Sequence, residues 1–371
     1  MGARTQTILS GFALATSWTW CIGMFAPILI GSLMGWPGVL AFAVPNVLGC
    51  ALFGYLRSAE RSRRETRDHA FAMSAFSAAT VAFQVFFAGW LWGPLVQDAL
   101  RTTREAGTAL AAGGVFAGAV VLAALPRHFV WLLAAGAFPL SLLTFAFLPW
   151  ESMHGLAATG EWSPDAVGWV LPTVVFGFML SPNLDLTFHR ARQETPAGAR
   201  AGNFGVFGVA FASMLVLTCC YGAAGAGGLN NPAVRTHMAM QLTLTSALHL
   251  SELRLARIGA NWRLVLGVGS GALGLLAALA AHAEGSGRET YLRFLGLYGL
   301  LFPAYAALAL RTVGRPSRTA LAALGLAVLG VTPLLDRSFT DHPDWMTPLA
   351  VLVPLAAVAL TGRRSTADVP G

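Results

Sequence analysis

From residue 7 onward the chain is a succession of apolar stretches, most of them of the length that crosses a bilayer as a helix, with short polar connections between them. This feature leaves few folds open. In hydrocarbon every backbone N–H and C=O must be satisfied within the protein, so only helices and closed barrels span it. Continuous apolar runs, rather than short alternating ones, select helices. The runs fall at 7–33, 37–56, 70–96, 107–125, 128–148, 165–188, 201–226, 236–253, 262–282, 290–310, 319–335 and 345–361. The expected fold is therefore all-α: a polytopic membrane protein with about 12 transmembrane helices. A composition of 56% hydrophobic and 11% charged residues, with a mean hydropathy of +0.63, agrees with lipid as the main solvent. The first run reads as a retained span rather than a signal peptide.

Arginine placement gives the topology, because short cytoplasmic loops hold an excess of positive charge. Arg57, Arg61, Arg63, Arg64 and Arg67 follow the second run, Arg127 the fourth, and Arg190, Arg192 and Arg200 the sixth. Arg254, Arg257 and Arg263 follow the eighth, Arg311, Arg315 and Arg318 the tenth, and Arg363 and Arg364 the twelfth. The alternate loops carry Glu151, Glu161, Asp165, Asp336, Asp341 and Asp344. Both termini are expected in the cytoplasm of a bacterium, with the chain in its inner membrane. The net charge of +7 is spread over these loop ends, which suits lipid headgroups rather than nucleic acid. Cys21, Cys50, Cys219 and Cys220 lack metal-site spacing and read as buried free thiols.

Every basic residue apart from histidine is arginine; there is no lysine. That removes a phosphate-loop lysine, a Schiff-base lysine and a lysine general base. The longest connection, about 149–164, is too short for a nucleotide-binding domain. No His-Glu-x-x-His helix and no Gly-x-Ser-x-Gly elbow occurs.

Polar residues at membrane depth are expensive and usually serve a purpose. The sixth run passes from Gly177-Phe178-Met179-Leu180 into Ser181-Pro182-Asn183-Leu184-Asp185-Leu186-Thr187-Phe188-His189-Arg190. Pro182 removes a backbone donor and disfavours helical geometry at Ser181, while Ser181, Asn183 and Asp185 offer competing side-chain bonds. A break is expected here, and a broken helix inside a membrane frees carbonyls and amides as ligands. The other reading is a helix that ends early, with Asp185, His189 and Arg190 at the headgroups. In the first run, Ser17-Trp18-Thr19-Trp20-Cys21-Ile22-Gly23 precedes Pro27. Thr19 and Gly23, one helical turn apart, offer a small polar strip that permits unwinding or close packing, with Pro27 ending the region. Trp18 and Trp20 serve there as substrate contacts or as bulk packing.

Interrupted spans in corresponding positions of two halves point to the midplane site of a secondary transporter. Runs one and six enter from opposite sides, so residues 1–150 and 165–310 form two units of inverted orientation. This pattern resembles the leucine-transporter-type five-plus-five inverted-repeat fold of the amino acid-polyamine-organocation superfamily and the sodium:solute symporters. The residues carrying the likeness are the Trp18-to-Met24 stretch with Pro27, the Pro45-Asn46-Val47-Leu48-Gly49 run and the Ser181-to-Asp185 break. The resemblance implies a single transmembrane domain over 1–361 with the inverted repeat, two peripheral helices over 319–361 and a short cytoplasmic tail at 362–371. It also implies substrate contacts at both breaks and a sodium site joining carbonyls of run one to hydroxyls of run eight, where Thr245 and Ser246 match the hydroxyl pair.

The candidate substrate-binding residues are thus Trp18, Thr19, Trp20, Gly23, Gln84, Ser181, Asn183 and Asp185. Gln84, alone among Phe83, Phe86, Phe87, Trp90 and Trp92, reads as part of a substrate wall or as a helix–helix hydrogen bond. Thr245 and Ser246 are the candidate sodium ligands, no other cofactor being implied, unless they bond to their own preceding turn. Asp185 and His189 are candidates for proton coupling, and His249 lies deep enough in run eight to titrate. The expected function is ion-coupled transport of a small polar solute through a lipid-embedded chain. An intramembrane enzyme using Asp185 and His189 as acid and base is the alternative; a helical scaffold without transport is the third class.

Overall fold

The computed structural model describes residues 3–148, 150, 160–195, 199–312, 314–340 and 344–361. The expected tail 362–371 and the loop residues Glu151, His154, Asp341 and His342 lie outside them. Among the described residues the chain is all-helical, without strands. Helix α1 (Ala3–Trp18) is followed by α2 (Cys21–Leu56), α3 (Ala59–Asp68), α4 (Ala70–Leu100), α5 (Arg104–Ala124) and α6 (Arg127–Leu143). Then come α7 (Pro164–Leu180), α8 (Leu186–Glu194), α9 (Arg200–Ala223), α10 (Gly225–Asn230) and α11 (Pro232–Leu255). The chain ends with α12 (Ala260–Glu284), α13 (Gly287–Gly296), α14 (Phe302–Arg311), α15 (Arg318–Thr340) and α16 (Met346–Thr361).

Eight of the described helical stretches are long and apolar enough to cross a membrane. This is an α-helical membrane protein. Helices α1 and α7, of 16 and 17 residues, fall short because each stops at a break, and the 24-residue α11 carries His237, Gln241, Thr245, Ser246, His249 and Glu252. Those α11 side chains are all buried, so this polar helix lies inside the bundle. Helix α4 is its most enclosed neighbour: 78% of its most apolar window is buried, against 28% in α12 and in α15. The outward faces of α12 and α15 expose Leu264, Val268, Leu276, Leu326 and Leu329, as lipid-facing helices do.

The first two apolar runs meet at Gly35, where the 36 residues of α2 leave helical geometry and divide into two helical stretches; the φ of 64° there admits only glycine comfortably. Gly160 packs there, its N–H donating to Gly31 O at 3.0 Å. Two boundaries differ from the sequence reading. Pro27 does not end the interrupted region but sits buried within α2. The interruption falls earlier, at Thr19 and Trp20. At the far end, α15 runs on to Thr340, so Asp336 is helical and pairs with Arg293 at 2.8 Å.

Contacts sort the connections into two ends. At one end Arg254 donates to the carbonyls of Ala124 and Leu125, Arg127 pairs with Glu194, and His69 Nδ1 lies 3.1 Å from Tyr305 Oη. At the other, Gly160 meets Gly31 and Asn231 Nδ2 donates to Phe147 O at 2.9 Å.

Candidate functional site

Both expected interruptions are present, and they face each other. Between α1 and α2 the Thr19 hydroxyl donates to Ala15 O at 2.7 Å, and Trp20 adopts extended geometry with ψ of 174°. The Trp20 indole turns back to donate to Ser17 O at 2.6 Å, while Gln84 Oε1 accepts from the first N–H of α2, that of Cys21, at 3.0 Å. Ala15 O keeps its helical donor, the Thr19 N–H, at 2.8 Å, so the ladder is interrupted at Ser17 O, where the Trp20 indole replaces the Cys21 N–H and no proline is involved. Pro27 lacks the N–H that would reach Gly23 O, and the Thr218 hydroxyl supplies that donor at 2.9 Å.

The second interruption follows from Pro182. Ser181–Asn183 form one 3₁₀ turn after α7, and Phe178 O, deprived of its helical donor, accepts from the Cys50 thiol at 3.6 Å. Asp185 is extended and caps α8: Oδ1 accepts from the Thr187 N–H and hydroxyl, both at 2.7 Å.

The Ser17 hydroxyl joins the breaks directly, donating to Thr187 Oγ1 at 2.7 Å. From α11 the Thr245 hydroxyl donates to Thr16 O at 2.8 Å, and His249 Nε2 lies 3.9 Å from Asp185 Oδ2. From α4, Ser77 Oγ lies 3.2 Å from His249 Nδ1. Ser17, Thr187, Asp185, Thr245 and His249 are all fully buried. Several buried polar atoms of these segments lack any hydrogen-bond partner: Asp185 Oδ2, His249 Nε2, Ser181 Oγ, Ser246 Oγ and Gln84 Nε2. Such atoms are costly in a dry interior, and those beside the two opposed helix breaks are free to donate to or accept from something polar.

The sequence-predicted residues divide. Trp18, Thr19, Trp20, Gln84, Ser181, Asp185, Thr245 and Ser246 belong to the segments that build this centre, and the rings of Trp18 and Trp20, alternate in sequence, lie 4.5 Å apart at a tilt of 48° across the break. Gly23 is held to the side against Phe211 and Thr218. Asn183 points to the arginine-rich end, where Arg57 donates to its Oδ1. His189 is tied down on both ring nitrogens, by Ser62 Oγ at 2.8 Å and Asn183 O at 2.9 Å. Arg190, a conceivable partner for Asp185, instead pairs with Glu252 at 3.0 Å. Asn46, which accepts from the Trp18 indole at 2.7 Å, stands out in the sequence only as part of a proline-containing run. Thr16 and Ser77 give no signal in the sequence, and Ser17 and Thr187 stand there only as members of the two interrupted stretches; single hydroxyl residues in apolar helices carry no further signal until their long-range partners are known.

A cavity of about 560 Å³ has Leu33 and Met34 among its lining residues and so lies toward the Gly35 end of the bundle. Its walls come from α2, α7, α13 and α15, and Tyr298 is among the lining residues. Tyr298 sits on a π-helical turn, Leu297–Leu301, a local widening frequent at functional sites. Its ring lies 5.0 Å from that of Trp20, which in turn lies 5.8 Å from that of His249. Two aromatic residues thus stand between the cavity and the polar centre. Comparison with protein families, with curated proteins and with solved structures finds no match for this chain.

Proposed function

We propose that this protein is a secondary active transporter that moves a small polar solute through the centre formed by the two helix breaks, coupled to the flow of sodium ions or protons. The observation that carries the reading is the meeting of two interrupted helices at a hydroxyl–hydroxyl bond, Ser17 to Thr187, beside a half-satisfied buried carboxylate. Counting the α1–α2 chain on each side of Gly35 as separate crossings gives twelve spans. The reading places both termini in the cytoplasm of a bacterial inner membrane and relates residues 1–150 to 165–310 as inverted repeats, with α15 and α16 outside them. The 560 Å³ cavity is then the extracellular approach to the site.

An enzyme using Asp185 and His189 as an acid–base pair finds less support, since both nitrogens of His189 are already engaged. The test is uptake of a panel of radiolabelled amino acids, amines and polyols into proteoliposomes under imposed sodium or pH gradients. The Asp185→Asn variant keeps an oxygen to accept from Thr187 and strands no cation, because Arg190 has its own partner; it should fold normally and take up solute only at background level. Unchanged uptake by Asp185→Asn, or no uptake of any solute by the parent protein, would overturn the proposal.

A further inference from the structure

Asp185 and His249 form an unfinished pair. Oδ1 of Asp185 accepts two bonds from Thr187, whereas Oδ2 accepts none. His249 has Ser77 at Nδ1 and nothing hydrogen-bonded to Nε2, the atom that lies 3.9 Å from that free oxygen. Both side chains are fully buried. An approach of about 1 Å would bring the two atoms to hydrogen-bond distance, and one proton between them would then give donor and acceptor in place of two orphans.

A metal cation has fewer atoms on offer. Five carbonyls around the first break already accept from side-chain donors: Thr16 O from Thr245, Ser17 O from Trp20, Cys21 O from Tyr291, Gly23 O from Thr218 and Met24 O from Tyr221. A hard cation has to gather several such oxygens, whereas a proton needs only two facing atoms.

Resting on the transport reading above, we propose that the coupling ion is a proton, carried between Asp185 Oδ2 and His249 Nε2. It arrives from the cavity past Tyr298 and Trp20, binds the Asp185 carboxylate and is held against His249. It leaves toward the arginine-rich end when that end opens. Only O–H and N–H bonds form and break. The other titratable groups around the pair have different duties. Cys50 on α2 bonds Phe178 O, Tyr298 on the π turn lies 3.0 Å from the Thr80 hydroxyl, Glu252 on α11 pairs with Arg190 of α8, and His189 is held at both nitrogens. The groups contributed nearby by α1 and α4 are Ser17, Ser77 and Gln84, which do not titrate.

Infrared difference spectra of the protein in lipid nanodiscs, titrated with acid, test the site without any solute. A buried carboxylic-acid carbonyl band should appear, vanish in Asp185→Asn and move in frequency in His249→Gln. Should Asp185→Asn fail to fold, isotope-labelled aspartate in the parent protein assigns the band, since Asp185 is the fully buried aspartate among the described residues. In proteoliposomes a pH gradient, not a sodium gradient, should drive uptake of the radiolabelled panel. Sodium-driven uptake with no such band, or a band indifferent to His249→Gln, overturns the proton assignment while leaving transport intact. A titrating band with no uptake under either gradient overturns the transport reading, and the coupling role with it.

Discussion

Gln84 shows what a single polar residue does in a bundle of this kind. In an unbroken helix the Cys21 N–H would donate to Ser17 O, but that carbonyl is occupied by the Trp20 indole, and Gln84 Oε1 takes the orphaned N–H instead. Replacing Gln84 by Leu leaves this buried donor without a partner, which typically costs about 1–3 kcal/mol. The thermal midpoint of the purified Gln84→Leu protein should fall accordingly; an unchanged midpoint would mean that the first turn of α2 is satisfied in some other way. The sequence marks Gln84 as exceptional among its aromatic neighbours, yet its partner lies 63 residues away and no local pattern names it. The same holds for Ser17 and Thr187, separated by 170 residues. Asp185 was legible because the cost of burying a carboxylate is a property of the residue itself.

At the scale of elements, the two breaks differ in how they are written. The one after α7 is local chemistry: Pro182 withdraws a donor and Asp185 restarts the chain as the cap of α8, so sequence reading finds it. The one after α1 contains no proline, and Pro27, the nearest visible breaker, lies in intact helix because Thr218 compensates for its missing N–H. Helix α3 is another element hidden by composition, since its arginines read only as a cytoplasmic loop. Its one fully buried side chain, Ser62, lies 2.8 Å from His189 Nδ1 and accepts from Gln193 Nε2 at 3.1 Å, docking α3 along α8. Arg57 O accepts from Arg192 Nε at 2.6 Å in the same seam. The Ser62→Ala change removes a shared partner from two side chains and should cost about 1–2 kcal/mol of stability, read as a lower midpoint with the helical content of the folded state unchanged. Retained stability would show that α3 is held by its flanking chain rather than by this seam.

For the whole molecule the decisive question is which end of the bundle faces the cytoplasm, because that fixes whether the 560 Å³ cavity admits solute from outside. The contacts gather the connections at 57–69, 124–127 and 254–263 with Glu194 and Tyr305 at one end, and 31–35, 147 and 160 at the other. The first end holds most of the arginine, and arginine-rich short loops stay on the cytoplasmic side. Exposed positions report this directly. Cysteines placed at Glu161 and Glu284 should react with a membrane-impermeant maleimide on intact cells, whereas cysteines at Arg63 and Arg315 should react only after permeabilisation. The native cysteines interfere little, three being buried and Cys219 partly so. The reverse labelling pattern would turn the cavity toward the cytoplasm and make it an exit. Labelling of all four sites on intact cells would break the division into two ends, and with it the proposed inversion of the two halves. The expected pattern puts the cavity, the Tyr298–Trp20 aromatic pair, the Asp185–His249 pair and the α3–α8 seam in that order from outside to inside, a path across the bundle compatible with the proposed transport.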